Sequence, residues 1–231
     1  MAATSQPPSA EESGGGDPSS DGAARGDTKQ RFIRAAQQTV RETGLANASA
    51  RTIAARAGSS QGLIFYHFGT VSELLEAAST DAVAQSIASY RAELDRADSL
   101  TDLLAVGDEL RRREHANGNV AFMAQMMAGA QHDPVLARAA GHAMSAWIRE
   151  VRGVLVRVLR ENALLDLVDL DGLARLIAAG FVGLELYDAV DPAGTDTALA
   201  TLRSLGRLVA ALDDLGPIAS RAVRAATRRR T

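Results

Sequence analysis

The sequence predicts an all-α protein. Ala, Leu and Val are abundant and aromatic residues make up only 4% of the chain, a composition that favours helices over sheets. Apolar residues recur at helical spacings of three and four along most of the chain, and no segment shows the alternation and turn residues of paired strands. The 231 residues are enough for one or two domains with a sizeable core.

The composition also excludes several classes of protein. The chain has no cysteine, which excludes disulfide scaffolds, thiolate nucleophiles and Cys-based zinc sites. No run approaches 18 uncharged apolar residues, and the N-terminus lacks the basic and then apolar layout of a signal peptide. We therefore expect a cytoplasmic protein without a membrane partner.

The first 27 residues predict a disordered acidic tail. Residues 1–27 are rich in Ser, Gly and Pro and contain no Leu, Ile, Val or Phe. Such a segment cannot bury enough apolar surface to offset the entropy lost on ordering. Five acidic residues against Arg25 give this tail a net charge of −4.

Residues 28–74 predict a small domain of three helices. The first helix has Phe32, Ala36 and Val40 on one face and stops at Gly44. Two short helices follow at 52–57 and 61–68, on either side of a tight break at 58–60. The residues expected to form the core of this helix pair are Ile53, Ala54, Ala57, Ile64 and Phe68.

This arrangement matches a helix-turn-helix, whose second helix enters the major groove of DNA. The exposed face of that helix would present residues 61–63 and 65–67. The net charge of +5 over residues 28–68 fits a phosphate-binding surface, although an ordinary solvated helix face could carry the same charge.

Residues 75–216 predict a larger helical body. A capping box formed by Thr70 and Glu73 starts a long helix, and further helices are expected at 99–116, 118–130, 134–162, 170–190 and 195–215. Asp133 followed by Pro134 is a helix start signal, because aspartate caps the helix and proline fits its first turn. Residues 217–231 carry a cluster of arginines and predict a basic C-terminal tail.

The run from Arg51 to Phe68, RTIAARAGSSQGLIFYHF, resembles the signature of the TetR family of bacterial transcriptional regulators. Over residues 28–80 the resemblance rests on sequence motifs, of which YHF before a capped helix is the most specific. Over residues 81–231 it rests on the architecture, an all-helical body of suitable length. It implies an N-terminal helix-turn-helix DNA-binding domain and a C-terminal ligand-binding and dimerisation domain. It also implies a homodimer, a palindromic operator in double-stranded DNA, and a small-molecule pocket that controls DNA affinity.

The resemblance carries DNA-binding roles to individual positions. Gln61 and Gly62 lie where the family contacts base edges. A glutamine side chain can form two hydrogen bonds with adenine, and glycine allows the helix to approach the bases closely. Tyr66 and His67 lie where the family contacts the DNA backbone, and the start of the preceding helix suits phosphate contacts. The predicted DNA-binding residues are Arg51, Thr52, Ser60, Gln61, Gly62, Leu63, Phe65, Tyr66, His67 and Thr70.

Three positions depart from the family pattern. Phe65 stands where the family usually has tyrosine, and Val71 stands where it usually has lysine or arginine; both positions commonly touch phosphate. Leu63 is bulkier than the usual residue and is placed to press on a thymine methyl. Losing one charged phosphate contact per subunit should weaken binding and flatten its salt dependence by roughly 0.9 per contact.

A cluster of methionines around Phe122 predicts either ordinary core or the lining of a ligand pocket, because methionine adapts to both. Core packing is the simpler explanation from the residues alone, and the resemblance favours the pocket. The three histidines at 115, 132 and 142 are too widely spaced for a helical metal pair, so we expect no metal. The candidate pocket residues are Phe122, Met123, Met126, Met127, Trp147, His115 and Glu185, with Gln125 as a further polar anchor.

The last two helices predict a dimer interface. Each carries an apolar face, and two such helices per chain suit a four-helix bundle across a two-fold axis. The alternative, in which they cover the core of their own subunit, stays open. The predicted interface residues are Leu173, Ile177, Gly180, Phe181, Leu184, Leu202, Leu205 and Leu212.

We therefore expect a homodimeric regulator, a repressor rather than an activator, which a small apolar or amphipathic ligand releases from DNA. The sequence contains no P-loop, dinucleotide fingerprint, nucleophile elbow or zincin motif, so we expect neither an enzyme nor a cofactor. There are two alternatives. The first is an architectural DNA-binding protein without an effector, and the second is a ligand-binding helical protein whose DNA-binding domain has weakened affinity for DNA.

Overall fold

The computed structural model describes residues 18–160 and 168–214, and over these ranges the chain is helical without a strand. The all-α prediction is confirmed. A short 3-10 helix at Leu45–Asn47 follows the first α-helix. The α-helices are α1 (Pro18–Thr43), α2 (Ala50–Arg56), α3 (Gln61–Phe68), α4 (Val71–Arg96), α5 (Leu100–Asn117), α6 (Asn119–Gly129), α7 (Pro134–Val158), α8 (Leu170–Asp188) and α9 (Pro192–Asp214).

Helix α1 begins earlier than the composition indicates. It starts at Pro18, so the prediction of a disordered tail is wrong for residues 18–27, while residues 1–17 lie outside the described part of the chain. A polar segment can extend a helix that already exists, because each added residue gains a hydrogen bond without a new nucleus. Asp27 also pairs with Arg31 one turn later, at 3.7 Å.

The first four helices share a core that α6 completes. Phe32 and Val40 of α1, Ile53 of α2 and Ile64 of α3 are fully buried together, which confirms the predicted core between the two short helices. Ala54 is buried with them, and Ala57 and Phe68 are partly buried against them. Phe122 and Met126 of α6 belong to the same cluster. The core of the N-terminal domain therefore extends into the helical body.

The turns follow the chemistry of the sequence. Gly44 and Gly58 have φ angles of 87° and 59°, the left-handed region that glycine enters without a side-chain clash. Thr70 caps α4 by accepting from the Glu73 amide at 3.1 Å. The second half of the predicted capping box is wrong, because the Glu73 carboxylate accepts the Thr70 hydroxyl at 2.9 Å instead of the Thr70 amide.

In the helical body, α7 packs between α4 and α8, while α9 covers α5 and α8. Asp133 caps α7 with Pro134 in the first turn, as predicted. Helices α7 and α8 end four and two residues before their predicted ends, and α9 begins three residues before its predicted start, the usual uncertainty of helix boundaries. The predicted basic tail at 217–231 lies outside the described residues. None of the described helices has the length and apolar character needed to cross a membrane.

Candidate nucleic-acid interface and ligand cavity

Helix α3 presents one face to solvent because the other face is held in the domain core. Ile64 is fully buried, while Gln61, Gly62 and Leu63 on its N-terminal side are exposed. Phe65 and Tyr66 are also exposed, Tyr66 at 69% of its surface. The exposed residues are those predicted from the sequence, and they form a continuous surface without an acidic side chain.

His67 occupies a different environment from its neighbours. It is half-buried, and its ring lies 5.0 Å from the Tyr66 ring and 6.4 Å from the Phe32 ring, measured between centroids. Phe32 belongs to the core, so His67 bridges the core and the exposed face. This packing supports the position of Tyr66 at the end of α3.

The N-terminus of α2 uses its own side chains for capping. The Thr52 hydroxyl accepts from the Ser49 amide at 3.0 Å and donates to the Asn47 carbonyl at 2.6 Å. The Ser49 hydroxyl in turn accepts from the Thr52 amide. Thr52 is exposed, but its hydroxyl is already engaged, whereas the exposed Arg51 beside it points its charge to solvent.

Two of the basic residues counted in the sequence do not contribute a free charge to this surface. Arg56 pairs with Glu42 at 2.6 Å. Arg41 turns towards the body, where its guanidinium donates to the Gln37 side chain at 3.3 Å and to the Asn117 carbonyl at 3.5 Å. Burial lowers the pKa of Arg41. Because the net charge of +5 over 28–68 already subtracts Glu42, it overstates the charge available to phosphates only by that of Arg41.

Val71 has a structural role that accounts for its apolar character. Its side chain is half-buried and packs against the core of the N-terminal domain. Thr70, which caps the same helix, is exposed. A lysine at position 71 would have to lay its aliphatic stem over this apolar surface to bring its ammonium to solvent.

A cavity of about 60 Å³ lies in the body between α4, α5, α6, α7 and α8. Met123, Trp147 and Phe181 contribute to its apolar lining. Trp147 and Met123 were predicted here, but Phe122 and Met126 are wrong as pocket residues because both are fully buried in the core of the N-terminal domain. Met127 is exposed and does not line the cavity.

The polar residues predicted for the pocket lie elsewhere. His115 Nδ1 is 2.9 Å from the Glu185 carboxylate, and neither residue lines the cavity. Gln125 spans two domains: the Leu45 amide donates to its Oε1 at 2.7 Å, and its Nε2 donates to the Val40 carbonyl at 3.1 Å.

The charged group of the cavity is Glu114, which the sequence analysis missed. Glu114 is only 6% exposed, and its carboxylate accepts the Tyr90 hydroxyl at 3.0 Å. Burial, followed by the charge and hydrogen bond of Glu114, raises the pKa of Tyr90 well above its usual value, so Tyr90 remains a donor. The available signal was spacing, since Glu114 follows the buried Leu110 by one helical turn.

The last two helices expose part of the predicted interface. Ile177, Gly180, Leu202 and Leu205 are exposed, and Leu184 is half-buried. Leu173 and Phe181 are half-buried and pack against clusters of their own subunit, and their place in an interface stays a prediction. The side chain of Leu212 lies outside the described residues. Exposed apolar residues that the sequence analysis missed are Leu176, Leu186, Tyr187 and Val190.

The described residues form a helix-turn-helix domain joined to a helical body. Residues 32–78 match the family described as "Bacterial regulatory proteins, tetR family". The HTH-type transcriptional regulator BetI of Stenotrophomonas maltophilia (strain R551-3) is 35% identical over 114 residues, which cover 48% of this chain and 58% of that relative. Residues 32–78 are therefore similar to the TetR family, and the match to BetI spans less than two thirds of that relative's length.

Solved structures agree with this fold along most of the chain. A transcriptional regulator from Rhodococcus sp. assigned to the TetR family superposes with a TM-score of 0.64 at 22% identity, covering 80% of this chain and 99% of that one. FadR from Bacillus subtilis, solved in complex with stearoyl-CoA, superposes with a TM-score of 0.63 at 17% identity, covering 78% and 97%. The shared fold includes both the helix-turn-helix domain and the helical body.

Proposed function

We propose that the chain is a homodimeric repressor that binds a palindromic operator and is released when a small molecule enters the helical body. The observation that carries this proposal is the exposed face of α3, held outward by the buried Ile64. Regulation of transcription places its action in the cytoplasm of a bacterial cell. No described feature supports an enzymatic role.

The exposed residues of α3 divide into base contacts and backbone contacts. Gln61 offers a donor and an acceptor that match adenine, and Gly62 lets the helix approach the base edges closely. Leu63 supplies an apolar contact for a thymine methyl. Tyr66 and Arg51, with exposed polar ends, suit phosphates on either side of the groove.

The exposed apolar surface of α8 and α9 supports the homodimer. Leu176, Gly180 and Tyr187 follow one another at helical spacing on α8, and Leu202 and Leu205 are each more than half exposed on α9. Contiguous apolar surface of this kind marks an interface with a partner. A two-fold axis through these helices would let two copies of α3 reach major grooves one DNA turn apart, about 34 Å.

Helix α6 provides a physical link between the cavity and the DNA-binding domain. Met123 lines the cavity, while the adjacent Phe122 is buried in the core of the N-terminal domain. Gln125 on the same helix bonds the end of α1. A ligand that displaces α6 therefore acts on α1 directly. The complex of FadR with stearoyl-CoA supports ligand binding within a body of this fold.

The test is selection of DNA sites from a random pool, using the full chain at about physiological salt. Enrichment of an inverted repeat is the expected result, and the repeat then serves as the probe for effectors. Binding without enrichment would favour the architectural alternative, and failure to retain DNA would favour a protein that binds only ligand. A Gly62→Leu variant is the matched control, because it should remain folded and enrich nothing.

A further inference from the structure

We propose that the cavity of the helical body binds a small organic cation, whose ammonium group contacts the buried Glu114 carboxylate. This inference rests on the proposed function, since it names the chemical class of the ligand that would occupy the same site. The juxtaposition that carries it is one buried carboxylate in an otherwise uncharged, largely apolar and partly aromatic cavity.

Glu114 has a hydrogen bond but no contact cation among the described residues. Tyr90 donates to one carboxylate oxygen. The neighbouring Arg113 is directed to Glu109 and Glu93, and the Arg41 guanidinium bonds Gln37 and the Asn117 carbonyl. The Glu114 charge acts on Arg41 and opposes the lowering of its pKa by burial, but no ion-pair contact joins these two described residues. Burying a carboxylate away from water is unfavourable unless it is paired. A ligand cation in the cavity that Glu114 lines would supply a charge in direct contact with the carboxylate.

The remaining lining suits the rest of such a ligand. Trp147 and Phe181 are the aromatic residues of the lining, and an aromatic face attracts a cation more strongly when water is excluded. Met123 and Met144 add polarisable, adaptable surface. Ser86 and Asn119 are the uncharged polar residues of the lining, and no Lys or Arg among the described residues lines it to oppose a cation.

The size of the cavity limits the ligand. A volume of about 60 Å³ suits a compact amine better than a long acyl chain, so the ligand of FadR is not the class proposed here. An anionic ligand is disfavoured for a separate reason, because its charge would lie against Glu114.

The test compares cyclohexylammonium with cyclohexanol, which share a ring and differ in charge. Trp147 is the one tryptophan of the chain and lines the cavity, so its fluorescence reports binding to the full-length protein without DNA. We expect the ammonium to bind at least about tenfold more tightly than the alcohol at constant ionic strength. Equal affinity for the two compounds in the unmodified protein would overturn the proposal, and this comparison needs no variant.

Two variants test whether the Glu114 carboxylate causes the preference for cyclohexylammonium over cyclohexanol. Glu114→Gln should remove the preference for the ammonium while leaving the affinity for cyclohexanol unchanged. Glu109→Gln removes the same charge from the same helix outside the cavity lining and should keep the preference. A Glu114→Gln protein that retains native helicity and still prefers the ammonium contradicts the proposal.

A DNA measurement separates this inference from the proposed function. If cyclohexylammonium binds with the expected selectivity but the selected DNA is not released, the ligand class stands and ligand-controlled repression fails. If only uncharged compounds release the DNA, and do so equally from the Glu114→Gln variant, the repressor stands and the cation site is wrong.

Discussion

The Gln125 side chain of α6 accepts a hydrogen bond from the backbone amide of Leu45, 2.7 Å away and 80 residues earlier in the chain. The same side chain donates to the Val40 carbonyl at 3.1 Å. The Val40 carbonyl also accepts from the Gly44 amide at 3.0 Å, so Gln125 adds a second donor there and supplies the acceptor for the Leu45 amide. Because α6 also lines the cavity through Met123, this contact joins the ligand site to the DNA-binding domain.

Replacing Gln125 by methionine should weaken both stability and coupling. The variant keeps the volume of the side chain but leaves the Leu45 amide and the Val40 carbonyl without these partners, which costs about 1–3 kcal/mol of unfolding free energy. The fold change in DNA affinity caused by ligand should shrink as well. Denaturant unfolding and ligand-dependent DNA binding measure the two effects.

Gln38→Met is the matched control for Gln125. Gln38 lies on the exposed side of α1 and bonds Glu42, so its loss should change stability by less than about 0.5 kcal/mol. Equal effects of the two substitutions would show that the link through α6 is energetically unimportant.

Two glycines of the helix-turn-helix should respond to alanine in opposite ways. Gly62 lies within α3, where the nearest heavy atom to an added Cβ is the Ser60 hydroxyl oxygen at 3.9 Å, so Gly62→Ala should raise stability by about 0.5–1 kcal/mol. It should nevertheless lower operator affinity, because the methyl group enters the base-contacting surface. Gly58→Ala should lower stability by about 1–2 kcal/mol, since Gly58 has a φ angle of 59°. Thermal unfolding and DNA titration of both variants are needed, and a Gly62→Ala protein with full DNA affinity would contradict the role of Gly62.

The helix-turn-helix could be predicted to the residue at α3 because its signals are local. Gly58, the apolar spacing of Ile53 and Ile64, and the YHF motif all act within 20 residues. Glu114 and Gln125 could not be assigned in the same way, because their environments depend on helices distant in sequence. Gln125 contacts α1 and Glu114 contacts Tyr90 of α4.

The error in the pocket has its physical origin in helix packing. Phe122 and Phe181 are apolar residues on amphipathic helices, and spacing alone does not say which neighbour each face contacts. Phe122 packs into the N-terminal core, and Phe181 is half-buried against clusters of its own subunit. Both assignments require the packing of the helices in three dimensions.

Val71→Lys tests whether a phosphate contact is missing from this chain. The lysine should lose part of the apolar packing of Val71 against the domain core but bring a positive charge to the start of α4. We expect operator affinity to rise at low salt, with the logarithmic salt dependence steeper by roughly 0.9 per added contact. Titrations at several salt concentrations measure this slope, and an unchanged slope would show that position 71 does not approach DNA.

Acid should destabilise the body partly through Asp133. The Ser72 hydroxyl donates to its carboxylate at 2.7 Å, and the Val135 amide does so at the start of α7. These hydrogen bonds, led by that from Ser72, lower the pKa of Asp133. The stabilisation is therefore present above the unfolded pKa of about 3.9 and is lost as the pH falls through the lower folded value.

Asp133→Asn should accordingly reduce stability at neutral pH and flatten its dependence on pH below about pH 5. Asparagine still caps a helix, so helicity should be retained. Urea unfolding between neutral and acid pH measures the effect. A constant difference between the two proteins across that range would exclude a titrating contribution from Asp133.

A charge placed on α8 should separate the dimer into monomers. Leu176 is 68% exposed, so Leu176→Glu should leave the fold of the subunit intact while burying a carboxylate in the proposed interface, which is strongly unfavourable without a partner charge. Analytical ultracentrifugation should show a monomer, and operator affinity should fall because two half-sites are no longer bound together. Leu63→Glu is the complementary control, since Leu63 is exposed on α3: it should abolish DNA binding and keep the dimer. If Leu176→Glu remains dimeric, the two-fold interface lies outside this face of α8, and the spacing of the recognition helices must be set by another surface.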